Sequence, residues 1–273
     1  SVGLSVILSQ IADMPSYVDL LKVRGSLSSV GMPYKRHLTS PTYAYDETTR
    51  TWKPRTHYPI GDLLPERTTS YELGLDAKLW KSFSLAFTWY LADTFNQTFD
   101  PHISVSSGYS TIYLQTGSVR NSGIELSLGY GHDWRDFSWD TGFTLSVNKN
   151  KINGLVDNYL HPETGEIISK DRLEIKGLGK AKFILKKGGT LGDLYTNSDL
   201  KRDNNGMIEI DGTGALVTVD NCSDIKLGSV FPKANIAWRN DFAFKRFSAG
   251  ATITARIGGI VYSATQAALD QYG

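Results

Sequence analysis

The sequence offers few residues on which a catalytic or metal site could be built. Its 273 residues include one cysteine, Cys222, which excludes an intramolecular disulfide and any zinc site made of cysteines. The 29 basic and 28 acidic residues nearly balance, so no electrostatic argument favours nucleic acid as a partner. No apolar run approaches the roughly 18 residues that a membrane helix needs. The first ten residues have no basic start and resemble a strand, so no signal peptide is predicted there.

The histidines and acidic loops also lack the spacing that chemistry requires. None of the five histidines stands at ligand spacing from another. The segment around Gly206 resembles a calcium loop, but Lys201 and Gly212 occupy positions where an EF-hand needs carboxylates. Asp199, Asp203 and Asn205 remain candidates for holding an ion in another geometry. The sequence therefore predicts no enzyme activity, no cofactor and no assigned metal site.

What the sequence does contain is a sustained alternation of apolar and polar side chains. Every second residue is apolar over 71–79 and again over 83–91, and a short polar turn at Lys81-Ser82 joins the two runs. A period of two over nine or more residues predicts strands with one apolar and one polar face, paired here as a hairpin. The same pattern recurs over 124–147 and 234–255. With the runs Val2–Leu8 and Leu20–Val30, about eight strands in four hairpins are predicted.

The connections between these strands alternate between short and long. Short turns are expected at 80–82, 131–136 and 244–246, and long connections at 31–66, 93–117 and 149–228. The last of these has no sustained period, and the final fifteen residues have no strand character. Short periplasmic turns and long extracellular loops are typical of outer-membrane barrels, and strands of about nine to eleven residues match a tilted membrane span. The predicted fold class is all-β, an antiparallel transmembrane β-barrel portion with long extracellular loops.

This fold assigns a face to each side chain of the strands. The residues expected to face lipid include Leu73, Leu75, Phe83, Phe87 and Trp89. The residues expected to face the lumen are Glu72, Asp76, Lys78, Glu125 and Asp140. They would contact a plug or line a wet path; alternatively, they are simply solvated. Trp89, Tyr90, Trp134 and Trp238 lie near predicted strand ends, where an interfacial aromatic girdle would sit.

Aromatic residues in the predicted loops are the candidates for substrate binding. They are Trp52, Tyr58, Tyr109, Tyr113, Tyr159 and Tyr195. Such rings would stack on a sugar or grip a peptide; alternatively, they pack the loops on themselves or on a partner.

Several motifs occur in the same order as in one known family. The segment LLPERTTSYELGLD (63–76) carries the pattern L-x-P-E-x-(T/S)-x-x-(Y/W)-E-x-G-x-(D/E). Four further segments match: LLKVRGSLSSVG (20–31), SVRNSGIELSLGY (118–130) with its N-x-G-x-E strand opening, GGTLGDLYTN (188–197), and LGSVFPKANIAWRNDFAFKRFSAGATI (227–253) with its G-x-x-x-P-K hairpin. Together they resemble the C-terminal half of the barrel in SusC/RagA-type TonB-dependent transporters.

The resemblance implies that residues 1–273 are part of a barrel of roughly 22 strands. The plug domain, the signal peptide and the final strands would lie outside this chain. The intact protein would import oligosaccharides or peptides across the bacterial outer membrane. The TonB complex would supply energy through the plug, and a SusD-like surface lipoprotein would cover the extracellular loops.

Two other classes of protein fit the alternation alone. One is a soluble or surface-attached β-sandwich that binds glycans without transport, in which the apolar face covers a core. The other is a small self-contained outer-membrane barrel of eight strands.

Overall fold

In the computed structural model, the chain is mostly β-strand. The described residues are 1–34, 43–54, 57–58, 64–99, 111–112, 114–160, 167–219 and 222–272. The strands are β1 (Val2–Ile7), β2 (Val18–Met32), β3 (Tyr43–Asp46), β4 (Thr51–Pro54), β5 (His57–Tyr58), β6 (Glu66–Leu79), β7 (Phe83–Phe99), β8 (Thr111–Ile112), β9 (Leu114–Trp134), β10 (Phe137–Gly154), β11 (Val156–Leu160), β12 (Ile167–Lys170), β13 (Arg172–Leu178), β14 (Ala181–Lys186), β15 (Asp193–Thr196), β16 (Asp199–Leu200), β17 (Thr218–Val219), β18 (Ile225–Ser229), β19 (Ala234–Phe244) and β20 (Phe247–Ile257). A 3-10 turn spans Leu8–Gln10, and one α-helix, α1, spans Ala264–Tyr272. Within the described ranges, no helix is long and apolar enough to cross a membrane.

Eight of these strands form one antiparallel sheet, as predicted. Their order is β1-β2-β6-β7-β9-β10-β19-β20, so each strand pairs with the preceding wall strand in the chain. We call this sheet the wall. Among the described strands, β1 and β20 have one wall neighbour each, and the sheet does not close on itself. The alternative of a self-contained eight-strand barrel is therefore wrong for this structure.

Five of the eight wall strands, β2, β6, β7, β9 and β10, are longer than the predicted nine to eleven residues. β9 has 21 residues and β10 has 18. The apolar alternation fills only part of this length: on β10 it runs from Phe137 to Val147, and Lys149 and Lys151 follow on the same face. The predicted length is therefore the length of the apolar band and not that of the whole strand. The band matches a membrane span, and the strands extend beyond it on the side of the long loops.

The two faces of the wall differ as the alternation predicts. In the register, Leu73 pairs with Trp89 and Leu75 with Phe87, so these side chains share the apolar face. That face is exposed, with Leu73 57% accessible, which contradicts a sandwich in which a second layer would cover it. The opposite face is concave and carries the predicted luminal residues Glu72, Asp76, Lys78, Glu125 and Asp140.

Aromatic rings cluster on the apolar face near the short turns. The ring of Trp134 stacks on Phe137 across the turn at 5.6 Å, and Trp139 stacks on Phe242 at 6.2 Å. Trp134 is the last residue of β9, at a strand end as predicted, whereas Trp89 and Trp238 lie on the same face further along their strands. The predicted place in an aromatic girdle is wrong for Tyr90, because this residue alternates with Trp89 and therefore lies on the concave face.

The segment expected to be a long irregular loop contains a second sheet. Strands β13, β14, β15 and β18 pair in that order, each antiparallel to the next. We call this sheet, together with its β14–β15 connection, the cap. Its strands have four to seven residues and are separated by glycine-rich turns, too short for a sustained period to be visible in the sequence.

The cap packs against the concave face of the wall at the end of the long loops. The shared apolar cluster consists of Phe99, Val119, Ile152, Leu155, Val156, Leu173 and Leu185. Val119 and Ile152 are register partners on β9 and β10, on the same face as Asn121 and Asn150. Leu173 and Leu185 come from the cap. The largest buried apolar cluster of the described residues therefore joins the wall to the cap.

Candidate functional site: the concave face and its cap

The concave face encloses a cavity of about 630 Å³. Its lining includes Arg24, Thr88, Glu125, Ser146, Asn235 and Arg256, from strands between β2 and β20. These six are polar or charged, and the lining also includes apolar residues such as Ala86, Leu126, Leu145 and Ile236. The cavity is thus a mixed surface in which hydrogen-bonding groups lie among apolar ones. Its residues offer no arrangement of nucleophile and base for catalysis.

Arg24 organises one side of this cavity. Its Nη2 donates to Thr88 Oγ1 at 2.7 Å, and its Nε lies 3.6 Å from Asp76 Oδ2. To reach β7 from β2, the side chain must cross β6 at Gly74. A Cβ atom at Gly74 would lie 2.5 Å from Arg24 Nε, so a glycine is needed for this close approach. Lys22, 3.7 Å from the same carboxylate, adds a second positive charge.

The lining of the cavity includes two opposite charges, Glu125 and Arg256, that are not paired with each other. Glu125 makes no hydrogen bond or ion pair with any described residue, and its carboxylate is exposed. Arg256 donates through Nη2 to the carbonyl oxygen of Val230 at 3.0 Å, which leaves the rest of its guanidinium facing the cavity. A polar solute, or another domain inside a complete barrel, would find donors and acceptors of both signs here.

A chain of amide side chains leads from the cavity up to the cap. Tyr90 donates its hydroxyl proton to Asn148 Oδ1 at 3.1 Å. Asn150 Nδ2 donates to Asn121 Oδ1 at 2.9 Å, and Asn150 Oδ1 accepts from the backbone N–H of Leu191 in the cap at 2.9 Å. Amide side chains both donate and accept, so one residue can join two strands and a loop.

A buried carboxylate fixes the cap internally. Asp193 is 1% exposed and accepts hydrogen bonds from Thr190 Oγ1 and Lys226 Nζ, both at 2.6 Å, and from Thr190 N at 3.1 Å. Burial alone would raise the pKa of this carboxyl, but the hydrogen bonds from Lys226 and Thr190 outweigh it and lower the pKa. Asp193 therefore stays ionised and holds the β14–β15 connection to β18.

A second ionic cluster joins the end of the cap to its first strand. Arg172 binds Asp224 through two hydrogen bonds, Nε–Oδ2 at 2.6 Å and Nη2–Oδ1 at 2.9 Å, and Lys186 Nζ lies 3.0 Å from the same carboxylate. The Arg172 hydrogen bond is the main reason that the pKa of Asp224 is held well below its usual range.

The loop aromatics predicted to bind substrate have different environments. Trp52 on β4 is 67% exposed, and its ring lies 5.2 Å from that of Tyr45 on β3. Tyr195 on β15 is only 6% exposed, with Lys186 Nζ 4.7 Å from its ring centroid, so this ring packs the cap and has little surface for a ligand. Tyr58 and Tyr159 belong to strands, but their side chains lie outside the described residues, as do Tyr109 and Tyr113 entirely.

The candidate ion-binding residues of the 199–211 segment serve as turn caps. Asp203 Oδ1 accepts the backbone N–H groups of Asn205 and Met207, each at 2.8 Å. Asp199 Oδ1 accepts the N–H of Leu200 at 2.8 Å. In the ranges that the structure describes, no three His, Cys, Asp or Glu residues are grouped within reach of one metal ion.

A single-layer antiparallel sheet with an exposed apolar face, a wet concave face and short turns at one end is the wall of a membrane-spanning β-barrel. The family profile described as "TonB dependent receptor-like, beta-barrel" matches residues 16–173. The chain belongs to this family, and it lies in the bacterial outer membrane.

Named relatives come from Formosa agariphila. TonB-dependent receptor P3 is 25% identical over 231 residues, which cover 77% of this chain and 22% of the relative. TonB-dependent receptor P39 is 28% identical over 142 residues, covering 51% of this chain and 12% of the relative. The chain thus spans about a fifth of the length of the first relative.

Solved structures of the RagAB peptide transporter share the fold. One matches with a TM-score of 0.66 at 18% identity, covering 92% of this chain and 28% of that one. RagAB in its "open-open" state matches with a TM-score of 0.63 at 18% identity, over 94% of this chain and 28% of that one. The wall and the cap together therefore share their fold with part of the RagAB structures.

Proposed function

We propose that this chain forms part of the wall and the extracellular cap of a transporter that imports oligosaccharides or peptides by TonB-dependent active transport. The observation that carries the proposal is the position of the cap. It packs through Ile152 and Val119 on the concave face, above a cavity lined by hydrogen-bonding groups. A polar solute on this path passes beside the cap and then along the wet face. We infer no catalytic role.

The open edges of the wall support a larger barrel. The outer backbone groups of β1 and β20 have no partner strand among the described residues. In lipid, each unsatisfied backbone group costs several kcal/mol, about 2 to 7 by transfer estimates, so these edges would pair with further strands. A complete barrel of roughly 22 strands has room for a plug that receives energy from the TonB complex.

An exposed apolar surface on the cap side supports a partner protein. Met207, Ile210 and Leu216 are more than half exposed in the segment between β16 and β17. Exposed apolar patches of this kind mark interaction sites. A SusD-like lipoprotein that covers the loops would bury them, and the RagAB neighbours are themselves described as peptide importers.

Trp52 is the predicted aromatic residue best suited to contact a substrate. It and Tyr45 present two exposed, tilted rings on the β3–β4 hairpin of a long loop. Aromatic faces bind sugars and peptide side chains through apolar contact. Replacing Trp52 with Ala should weaken uptake by raising the concentration needed for half-maximal rate. Trp80→Ala is the matched control, since Trp80 is equally exposed but lies in a short turn at the other end of the wall.

The decisive experiment is uptake by cells that carry the full-length protein. Labelled oligosaccharides and peptides of defined length would be followed with and without a protonophore, and in a strain that lacks the protein. We expect accumulation of one of these two classes, lost in the deletion strain and in de-energised cells. Surface binding without accumulation would instead indicate a glycan-binding module and would contradict transport.

A further inference from the structure

Charged side chains face outward directly above the apolar band of the wall. On β9 and β10, Arg120, Lys149 and Lys151 occupy the positions that continue the lipid-facing alternation. Arg67 occupies the corresponding position on β6. Asp93 is the one acidic side chain among the outward positions at this level of the described strands. The outward surface just above the apolar band is therefore strongly basic.

Three of these residues form a compact group. Arg120 is the direct register partner of Lys151, and Lys149 lies two residues away on the same face. Asp93 on β7, the other neighbour of β9, binds Arg120 with Nε–Oδ1 at 2.7 Å and Nη2–Oδ2 at 2.8 Å. Lys149 and Lys151 make no hydrogen bond or ion pair with any described residue. Asp93 offsets one of the three positive charges, and like charges opposed across neighbouring strands destabilise a sheet, so the remaining excess of positive charge favours a bound anion.

The group lies at a defined height in the membrane. Lys149 and Lys151 follow Phe137, the first residue after a short turn, by twelve and fourteen positions. A tilted strand rises ~2.5 Å along the membrane normal per residue, which puts the two ammonium groups ~30 to 35 Å above the turn. The apolar band of an outer-membrane barrel is about 25 Å tall. The lysines therefore reach the headgroup level of the outer leaflet, on the side of the long loops.

We propose that Arg120, Lys149 and Lys151 form a site on the outside of the barrel for the phosphate groups of lipopolysaccharide. Ammonium and guanidinium groups make strong, charge-assisted hydrogen bonds to phosphate. Their outward direction at the headgroup level selects a lipid-borne phosphate, because a soluble anion would meet the loops and the concave face first. The inference rests on the location in the outer membrane and is independent of the transported substrate.

The test uses the full-length protein purified in detergent and titrated with diphosphoryl lipid A, with bound lipid counted by native mass spectrometry. The variant is Lys149→Gln/Lys151→Gln, and the matched control is Lys245→Gln/Arg246→Gln, which removes two positive charges in a short turn at the opposite end. We expect the first variant to bind lipid A at least about tenfold more weakly, given the contribution of each basic residue near an anionic surface. The control should bind as the unmodified protein does. Unchanged heat-modifiable gel migration shows that each variant is folded.

Two further probes identify the source of the phosphate. Dephosphorylated lipid A should bind no better to the unmodified protein than to the variant. Equal affinity of the variant and the unmodified protein for diphosphoryl lipid A would overturn the proposal. So would binding of inorganic phosphate as tight as that of lipid A and lost in the same variant, because the site would then serve a soluble anion.

Discussion

The side-chain oxygen of Asn150 on the wall accepts a hydrogen bond from the backbone N–H of Leu191 in the cap at 2.9 Å. The same asparagine is bound to Asn121 through its amide nitrogen. Two backbone bonds accompany this contact: Ile152 N donates to Gly189 O at 2.9 Å, and Gly188 N donates to Ile152 O at 2.8 Å. The β14–β15 connection thus pairs with β10 at Ile152, beyond the part of β10 that pairs with β19.

Replacing Asn150 with Ala should loosen the cap. The N–H of Leu191 would lose its acceptor, and leaving a buried donor unpaired costs about 1–3 kcal/mol. Hydrogen–deuterium exchange should therefore accelerate over residues 187–193 and remain unchanged in the short turns. Asn148→Ala is the matched control, because Asn148 faces the same side and its bonds stay within the wall. Equal exchange in both variants would show that Asn150 does not anchor the cap.

The cap should lose stability in acid. The pKa of Asp224 is lowered in the folded state, chiefly by its hydrogen bond with Arg172. Near pH 7 both the folded and the unfolded carboxyl are ionised, and the stabilisation is fully present. It is lost as the pH falls below about 4, where the unfolded carboxyl takes up a proton before the folded one does. Exchange of residues 172–186, measured from pH 6 down to pH 3, should rise in this window.

Asp224→Asn tests the cause of this pH dependence. The variant should be less stable at pH 6 and should show a flatter response to acid, because the group whose pKa shifts on folding is gone. A response as steep as that of the unmodified protein would assign the acid sensitivity to another carboxyl, with Asp193 the next candidate, since its pKa is also lowered.

Two indole groups on the lipid-facing surface have polar partners. Trp139 Nε1 donates to Asn240 Oδ1 at 3.2 Å, and Trp238 Nε1 donates to Thr141 Oγ1 at 3.0 Å. In lipid a polar group must be satisfied within the protein. Trp139→Phe leaves the Asn240 acceptor unpaired and should lower the free energy of unfolding in detergent by about 1–3 kcal/mol.

A double-mutant cycle separates this bond from packing. Adding Asn240→Leu to Trp139→Phe removes the unpaired acceptor as well, so the double variant should be more stable than the sum of the single changes predicts. Additive losses, measured by denaturant unfolding, would mean that the hydrogen bond contributes nothing.

The sequence predicted the wall well because its information is periodic. Leu73 and Glu72 lie on opposite faces wherever the strand begins or ends. Errors in the predicted strand length therefore did not change the face assigned to either residue. Tyr90 was misassigned because the prediction considered only its place near a strand end. The alternation with Trp89 already put its side chain on the polar face. The cap was missed because its contacts depend on pairing between distant segments, as with Arg172 and Asp224. Four-to-seven-residue strands between glycine turns carry too little periodicity to reveal such pairing.

Adjacent residues on β9 offer the sharpest test of the orientation of the wall. Leu128 lies on the apolar face near the middle of the band, whereas Ser127 lines the concave cavity. Lysine on the lipid face near the bilayer midplane destabilises a barrel by about 2–4 kcal/mol, while a luminal lysine stays in water. Leu128→Lys should therefore reduce the folded fraction of the full-length protein, measured by heat-modifiable migration after refolding into lipid vesicles. Ser127→Lys should fold normally. If Ser127→Lys is the more damaging change, the concave face is packed against apolar material, and the assignment of lipid and lumen must be reversed.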